Sequence, residues 1–195
     1  MVVSSLIMFL SAVLFHNDKE TILSIRNFYG VVRVRENSVA RILSHGTTIH
    51  GIMALDQDHR LSPLSYYSPQ GGLGEATHAL NSYNQEVKIA VIGLGTGALK
   101  CYGKEAWHFD FYEIDPSITN IASNQKLFPY LTDCPAKYSL FLGDGRLNIK
   151  KSIPHSYDEI VVDAFSSDSI PVHLITIEAV QEFSEKIKDD GILLF

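Results

Sequence analysis

Cysteine is scarce in these 195 residues: Cys101 and Cys134 are the two present. They offer neither a disulfide framework nor the paired spacing of a structural zinc, so a reducing, intracellular and cytoplasmic setting is expected. A basic surplus is also missing. Sixteen Lys and Arg stand against 22 Asp and Glu, a net charge of −6, and a phosphate backbone selects the opposite balance, so no nucleic acid is expected as partner. The eight histidines include no H-x-x-x-H pair and no cluster with cysteine, which leaves no expected metal. Long apolar runs are lacking too. Residues 2–15 (VVSSLIMFLSAVLF) are uncharged but fall short of the about 20 residues that a spanning helix needs. No Lys or Arg precedes them and no small-residue cleavage pattern follows, so a secretory signal does not fit. They read as a packed amino-terminal segment or as the end of a longer hydrophobic helix. Lys19, Arg26, Arg33 and Arg35 follow as the positive flank of a cytoplasmic loop would, which keeps membrane association through residues 2–15 open.

What is present is core material: 46% of residues are hydrophobic and 19% charged. That suffices for one domain, or one with a small appendage, and excludes a disordered tail. Three units are expected: an apolar segment over 1–26, a small β-rich domain over 27–70 and a nucleotide-binding domain over 71–195. In the second, FYGVVRVR alternates apolar and charged residues, VARILSH repeats the habit and TTIHGIM is β-branched, which predicts two or three antiparallel strands. Asp56 to Gly74 is rich in Pro and Gly and reads as a connection. Beyond it, apolar runs at VKIAVIGLG, HFDFYEID, YSLFLGD, DEIVVDAF and GILLF alternate with helix-like segments. Five alternations predict an α/β, doubly wound, Rossmann-like sheet of the class I methyltransferase type. Asp189, Asp190 and Gly191 are expected to form the turn into the fifth strand. The chain stops at Phe195 directly after it, so an unpaired edge is expected there. Further carboxyl-terminal strands of a longer chain, or a partner such as a second copy in a homodimer, would cover it.

The chemistry gathers at strand ends. Gly93-Leu94-Gly95-Thr96-Gly97-Ala98 follows the first strand of the alternating series, where glycines permit a sharp turn and close backbone approach of a ligand. The motif fits both G-x-G-x-G, used for adenosyl-sulfonium cofactors, and G-x-G-x-x-A, used for dinucleotides. Glu113 ends the second strand, where an acid accepts hydrogen bonds from ribose hydroxyls. Asp115, just before Pro116, reads first as a helix cap. Asp144 and Gly145 end the third strand, where a carboxylate can meet an adenine amine or simply cap a helix. The fourth strand ends in Asp163-Ala164-Phe165-Ser166-Ser167-Asp168, two carboxylates placed to bind a cation and take its proton.

VIGLGTGA, FYEIDP, LFLGDGR and YDEIVVDAFSSDSIP, in that order and spacing, resemble the spermidine synthase (polyamine aminopropyltransferase) family, from about Asn27 to Phe195. The likeness is closest to bacterial spermidine synthase-like domains that follow a membrane region. The resemblance implies transfer of an aminopropyl group from decarboxylated S-adenosylmethionine to a diamine such as putrescine. It implies Glu113 on the ribose, Asp144 and Gly145 on the adenine, and Gly93, Gly95, Thr96 and Gly97 on the methionine-derived portion. Asp163 matches the family's proton acceptor and Asp168 its second substrate-binding acid, although the two stand five residues apart here and three in the family. Tyr66-Tyr67-Ser68 stands near the family's Tyr-Gln/His-Glu element and makes both tyrosines candidate substrate-binding residues. Thr96 replaces an acid that holds the aminopropyl amine in the family, and S-adenosylmethionine itself, which bears a carboxylate, would suffer less from that change. The competing readings are an S-adenosylmethionine-dependent methyltransferase, a nicotinamide-dependent oxidoreductase and a non-catalytic truncated homologue.

Overall fold

The computed structural model describes residues 20–82, 86–165 and 169–195. Residues 2–15 and Asp168 lie outside them. Two sheets make up the fold. The first is antiparallel, ordered β1 (Thr21–Asn27), β2 (Gly30–Glu36), β3 (Ala40–His45) and β4 (Thr48–Ala54). It has four strands where two or three were expected, and its first strand crosses the boundary placed at residue 27. TILSIRN is half-buried at every second position, Thr21, Leu23, Ile25 and Asn27, so it belongs to the sheet by the same rule as its neighbours.

The second sheet comprises β5 (Lys88–Ile92), β6 (His108–Glu113), β7 (Lys137–Leu142), β8 (Tyr157–Val162) and β9 (Ile187–Leu194). Its order is β7-β6-β5-β8-β9 and every pairing is parallel. This is the doubly wound arrangement expected from the alternating runs. β9 begins four residues before Gly191 and runs through Asp189-Asp190-Gly191 rather than starting after them. Tyr157 pairs with Ile187 and Glu159 with Ile192, so an irregularity in the strand absorbs the residues that read as a turn.

The helices are short: α1 (Gly72–Ala79), α2 (Pro116–Ala122), α3 (Tyr130–Asp133), α4 (Gly145–Ile149) and α5 (Ile177–Ser184). Single 3₁₀ turns cover Ser65–Tyr67 and Ala98–Tyr102. Among the described residues no helix is long and apolar enough to cross a membrane.

Alternation along β5 builds a core on each face. Ile89 and Val91 join one cluster with Phe109, Phe111, Trp107 and Phe128. Ala90 and Ile92 join the other with Tyr157, Ile160 and Phe183. Val32, Val34 and Leu43 of the small sheet belong to the first cluster, so the two sheets share a core. Polar ties reinforce the seam: Asn27 donates to the carboxylate of Asp115 at 2.6 Å, and Arg41 donates to the carbonyls of Lys126 and Leu127 at 2.6 Å each.

One expectation is overturned here. Cys101 and Cys134 form a disulfide across a sequence separation of 33, with Cα atoms 5.0 Å apart. The sequence shows two distant cysteines, but α3 folds back on the turn after β5 and brings them together. The inference of a reducing compartment from cysteine usage loses its ground.

Candidate functional site

In a parallel sheet of this order the carboxyl ends of β7, β6, β5 and β8 lie side by side, and ligands gather there. A cleft of about 140 Å³ opens over them. Gly93 and Gly95 line it after β5, Glu113 after β6, Asp144 and Gly145 after β7, and Asp163 after β8, and the tip of the small sheet roofs it. Two glycines there are steric necessities. Gly93 has φ +103°, and a Cβ on it would collide with the carbonyl of Asp163; Gly95 has φ +54°, and its Cβ would come within 2.5 Å of the carbonyl of His50. The loop is thus wedged between the end of β8 and the small sheet.

Each acid is held by its own local structure. Glu113 is buried, and its two oxygens accept from the backbone N–H groups of Leu94 at 3.0 Å and Asp115 at 2.8 Å. Burial raises its pKa, and those N–H groups oppose the rise. Asp115 is the N-cap of α2, accepting from Ser117 N with Pro116 at the first helical position, as its place before proline indicated. It also lines the cleft. Asp144 is at once a cap and a wall: it accepts from Leu147 N at the start of α4, and its other oxygen is 3.2 Å from Nε2 of His173.

Asp163 occupies a junction. It lines the first cleft and also a second cavity of about 680 Å³. The hydroxyls of Tyr67 and Tyr66 donate to it, the latter at 3.5 Å. Burial pushes its pKa up to about 7, against the lowering effect of those two hydrogen bonds. Tyr66 lines the second cavity, whose remaining wall includes Ile49, Leu73, Val161 and Leu194. A carboxyl that titrates near neutrality between two chambers can take a proton from a group in one while a reactant is held in the other.

Two of the expected cofactor residues stand apart from the cleft. Thr96 is fully buried, its side chain fills the space beside Gly51 of β4, and its hydroxyl has no hydrogen-bond partner. Gly97 packs against Leu131 of α3. A turn with Gly at φ +54° and +82° on either side of Thr96 sends that side chain inward, which a linear motif does not reveal. Tyr67 is likewise buried and touches the site through its hydroxyl, whereas Tyr66 faces the second cavity. Among the described residues no group of three or more His, Cys, Asp and Glu could hold a metal.

Sequence reasoning missed three histidines. His45 and His50 come from the small sheet and His173 from the segment before α5, and all line the cleft. His50 owes its position to a bulge: Leu43 pairs with Gly51 and Ser44 with Ile49, leaving His50 as the extra residue, and bulges re-aim side chains in this way. The available signal was Gly51, since a glycine inside a strand marks a bulge or a close approach.

No protein-family model matches the chain. A polyamine aminopropyltransferase of Vibrio vulnificus is 33% identical over 113 residues, which cover 55% of this chain and 36% of that protein. An N-terminal histidine N-methyltransferase of Emericella nidulans is 30% identical over 129 residues, 62% of this chain and 22% of that protein. The chain therefore spans about a third and about a fifth of these curated relatives. Among solved structures, a probable spermidine synthase from Corynebacterium glutamicum superposes with a TM-score of 0.67 at 17% identity, over 89% of this chain and 61% of that one. The spermidine synthase of Thermotoga maritima gives 0.61 at 17% identity, over 89% and 56%. A spermidine synthase in complex with the transition-state analogue AdoDATO gives 0.60 at 17% identity, over 89% and 55%. Fold and sequence likeness agree, and the chain is spermidine synthase-like.

Proposed function

We propose that this spermidine synthase-like chain is a transferase that moves an alkyl group from an S-adenosyl sulfonium donor to the nitrogen of an amine. The observation that carries the reading is the position of Asp163, at the joint between a cleft at the strand tips and a second chamber. In this reading Asp144 and Gly145 meet the adenine, Glu113 the ribose hydroxyls, and the glycine loop the remainder of the donor. The acceptor enters the second chamber past Tyr66, with Asp168 as a further anchor for its distal end.

An aliphatic amine has a pKa of about 10 and is protonated at neutral pH. Asp163 accepts that proton, the freed lone pair attacks the carbon bonded to sulfur, and the C–S bond breaks to leave a neutral thioether. The leaving group needs no proton, so positioning and exclusion of water supply most of the acceleration. The polyamine relative supports aminopropyl as the group moved, from decarboxylated S-adenosylmethionine to a diamine such as putrescine. A second reading, in which intact S-adenosylmethionine is the donor as in a methyltransferase, is favoured by the glycine loop, which presents no acid to the cleft because Thr96 turns into the core.

Asp163→Asn tests the base. The variant is expected to lose transfer by a factor of about 10² or more, while its affinity for the thioether product stays within about threefold. Turnover comparable to that of the unsubstituted protein, with amines and both donors supplied, would reject the assignment.

A further inference from the structure

We infer that Asp115 is a second ribose-binding acid: one of its oxygens caps α2, and the other accepts a hydrogen bond from a ribose hydroxyl, leaving the second hydroxyl to Glu113. The inference rests on the reading of the cleft as an S-adenosyl site and gives a ligand-binding role to a residue that otherwise has only a structural one. Four carboxyls line the cleft, those of Glu113, Asp115, Asp144 and Asp163. Asp115 is 3% exposed, and polar atoms so enclosed are stable when hydrogen-bonded and costly when not. Its Oδ1 is fully used, accepting from Ser117 N at 2.7 Å and from the side-chain amide of Asn27 at 2.6 Å. Its Oδ2 has no partner among the described residues, and of the buried oxygens on these four carboxyls it is the one in that condition.

Two features point to the ribose as the source of the donor. The N–H of Asp115 donates to Oε1 of Glu113 at 2.8 Å, so both acids stand at the tip of β6, between the adenine end at Asp144 and the glycine loop after β5. The second feature is what Glu113 has left to offer. Each of its oxygens already holds one backbone N–H, which leaves one acceptor position on each. Burial, and to a smaller extent the charge of Asp115, raise the pKa of Glu113. Two carboxyls this close repel one another, and a hydroxyl donated to each offsets the repulsion and satisfies the unpartnered oxygen. A ribose carries two hydroxyls on adjacent carbons, one for each acid, whereas a deoxyribose carries one.

Three inert thioethers without a charged tail decide the matter by calorimetric titration at neutral pH: 5′-methylthioadenosine, its 2′-deoxy form and its 3′-deoxy form. Asp115→Asn keeps an acceptor for the helix cap, where Asn serves about as well as Asp, and puts an amide where Oδ2 stands. The variant is expected to keep its urea midpoint and to bind methylthioadenosine about tenfold more weakly. One of the two deoxy compounds is expected to lose no affinity through the substitution, because it lacks the hydroxyl that met Asp115, while the other loses about the same tenfold. Asp115→Ser, which also caps a helix but has no second oxygen, should repeat the pattern. Unchanged affinity for methylthioadenosine in the two variants overturns the inference and leaves Oδ2 to water or to the charged tail of the donor. An equal loss with all three compounds also overturns it, since that marks a structural effect. Failure of all three compounds to bind the unsubstituted protein overturns the S-adenosyl reading itself, a result distinct from either of those.

Discussion

Tyr67 shows how one buried hydroxyl sets the chemistry of its neighbour. It donates to Asp163 and so favours the charged carboxylate, holding down a pKa that burial has raised to about 7. In the role proposed for Asp163 the carboxyl must be deprotonated to act, so transfer is expected to rise with pH through about 7 and then level off. Tyr67→Phe removes one of the lowering contacts, and the rising limb should move to higher pH. A profile of kcat/KM against pH for the two proteins checks this, and superimposable limbs would remove Tyr67 from the account. The positions of the acids were legible at this scale. Glu113, Asp144 and Asp163 stand where a strand-end reading puts them, because the carboxyl end of a parallel strand is recognisable as an apolar run stopped by an acid. The direction of the Thr96 side chain was not legible, because it depends on left-handed glycines and on the space beside Gly51 in another sheet.

Among the elements, the 3₁₀ turn Ala98–Tyr102 and α3 are too short to be stable alone, and the disulfide Cys101–Cys134 joins them. Gly97, in the glycine loop, rests on Leu131 of the same α3, so the bridge also braces that loop. Closing a loop of this length is worth about 4 kcal/mol in the chain-entropy account. Cys101→Ser is therefore expected to lower the urea midpoint markedly, and reductant should bring the unsubstituted protein to the same midpoint. A midpoint indifferent to reductant would show that the bridge contributes nothing. The strands themselves were readable from period and β-branching. The helix ends, the bulge at His50 and the irregular start of β9 were not, since each is set by what the segment packs against.

At the scale of the whole molecule, Glu159 lies at the centre of the packing. It is wholly buried on β8, with one oxygen accepting from Thr77 of α1 at 3.1 Å and the other without a partner. Burial pushes its pKa up to about 7 from an ordinary 4.5. The folded state thus binds its proton more tightly than the unfolded chain does. The stability linked to this group is complete below pH 4.5 and is lost as pH rises through about 7, on the order of 3 kcal/mol. Denaturation midpoints should fall across that window, and Glu159→Gln should flatten the fall; a midpoint constant with pH in the unsubstituted protein would contradict it. Asp163 adds a dependence of the same sign.

The linear order of residues determined the class of fold and the acids at the strand tips, because burial on both faces of a parallel sheet and the need to stop each strand leave local marks. Only the tertiary structure decided which histidines roof the cleft, that the two cysteines meet, and that Thr96 faces the core. Each of those depends on two segments distant in sequence packing against one another, and no local pattern encodes such a contact.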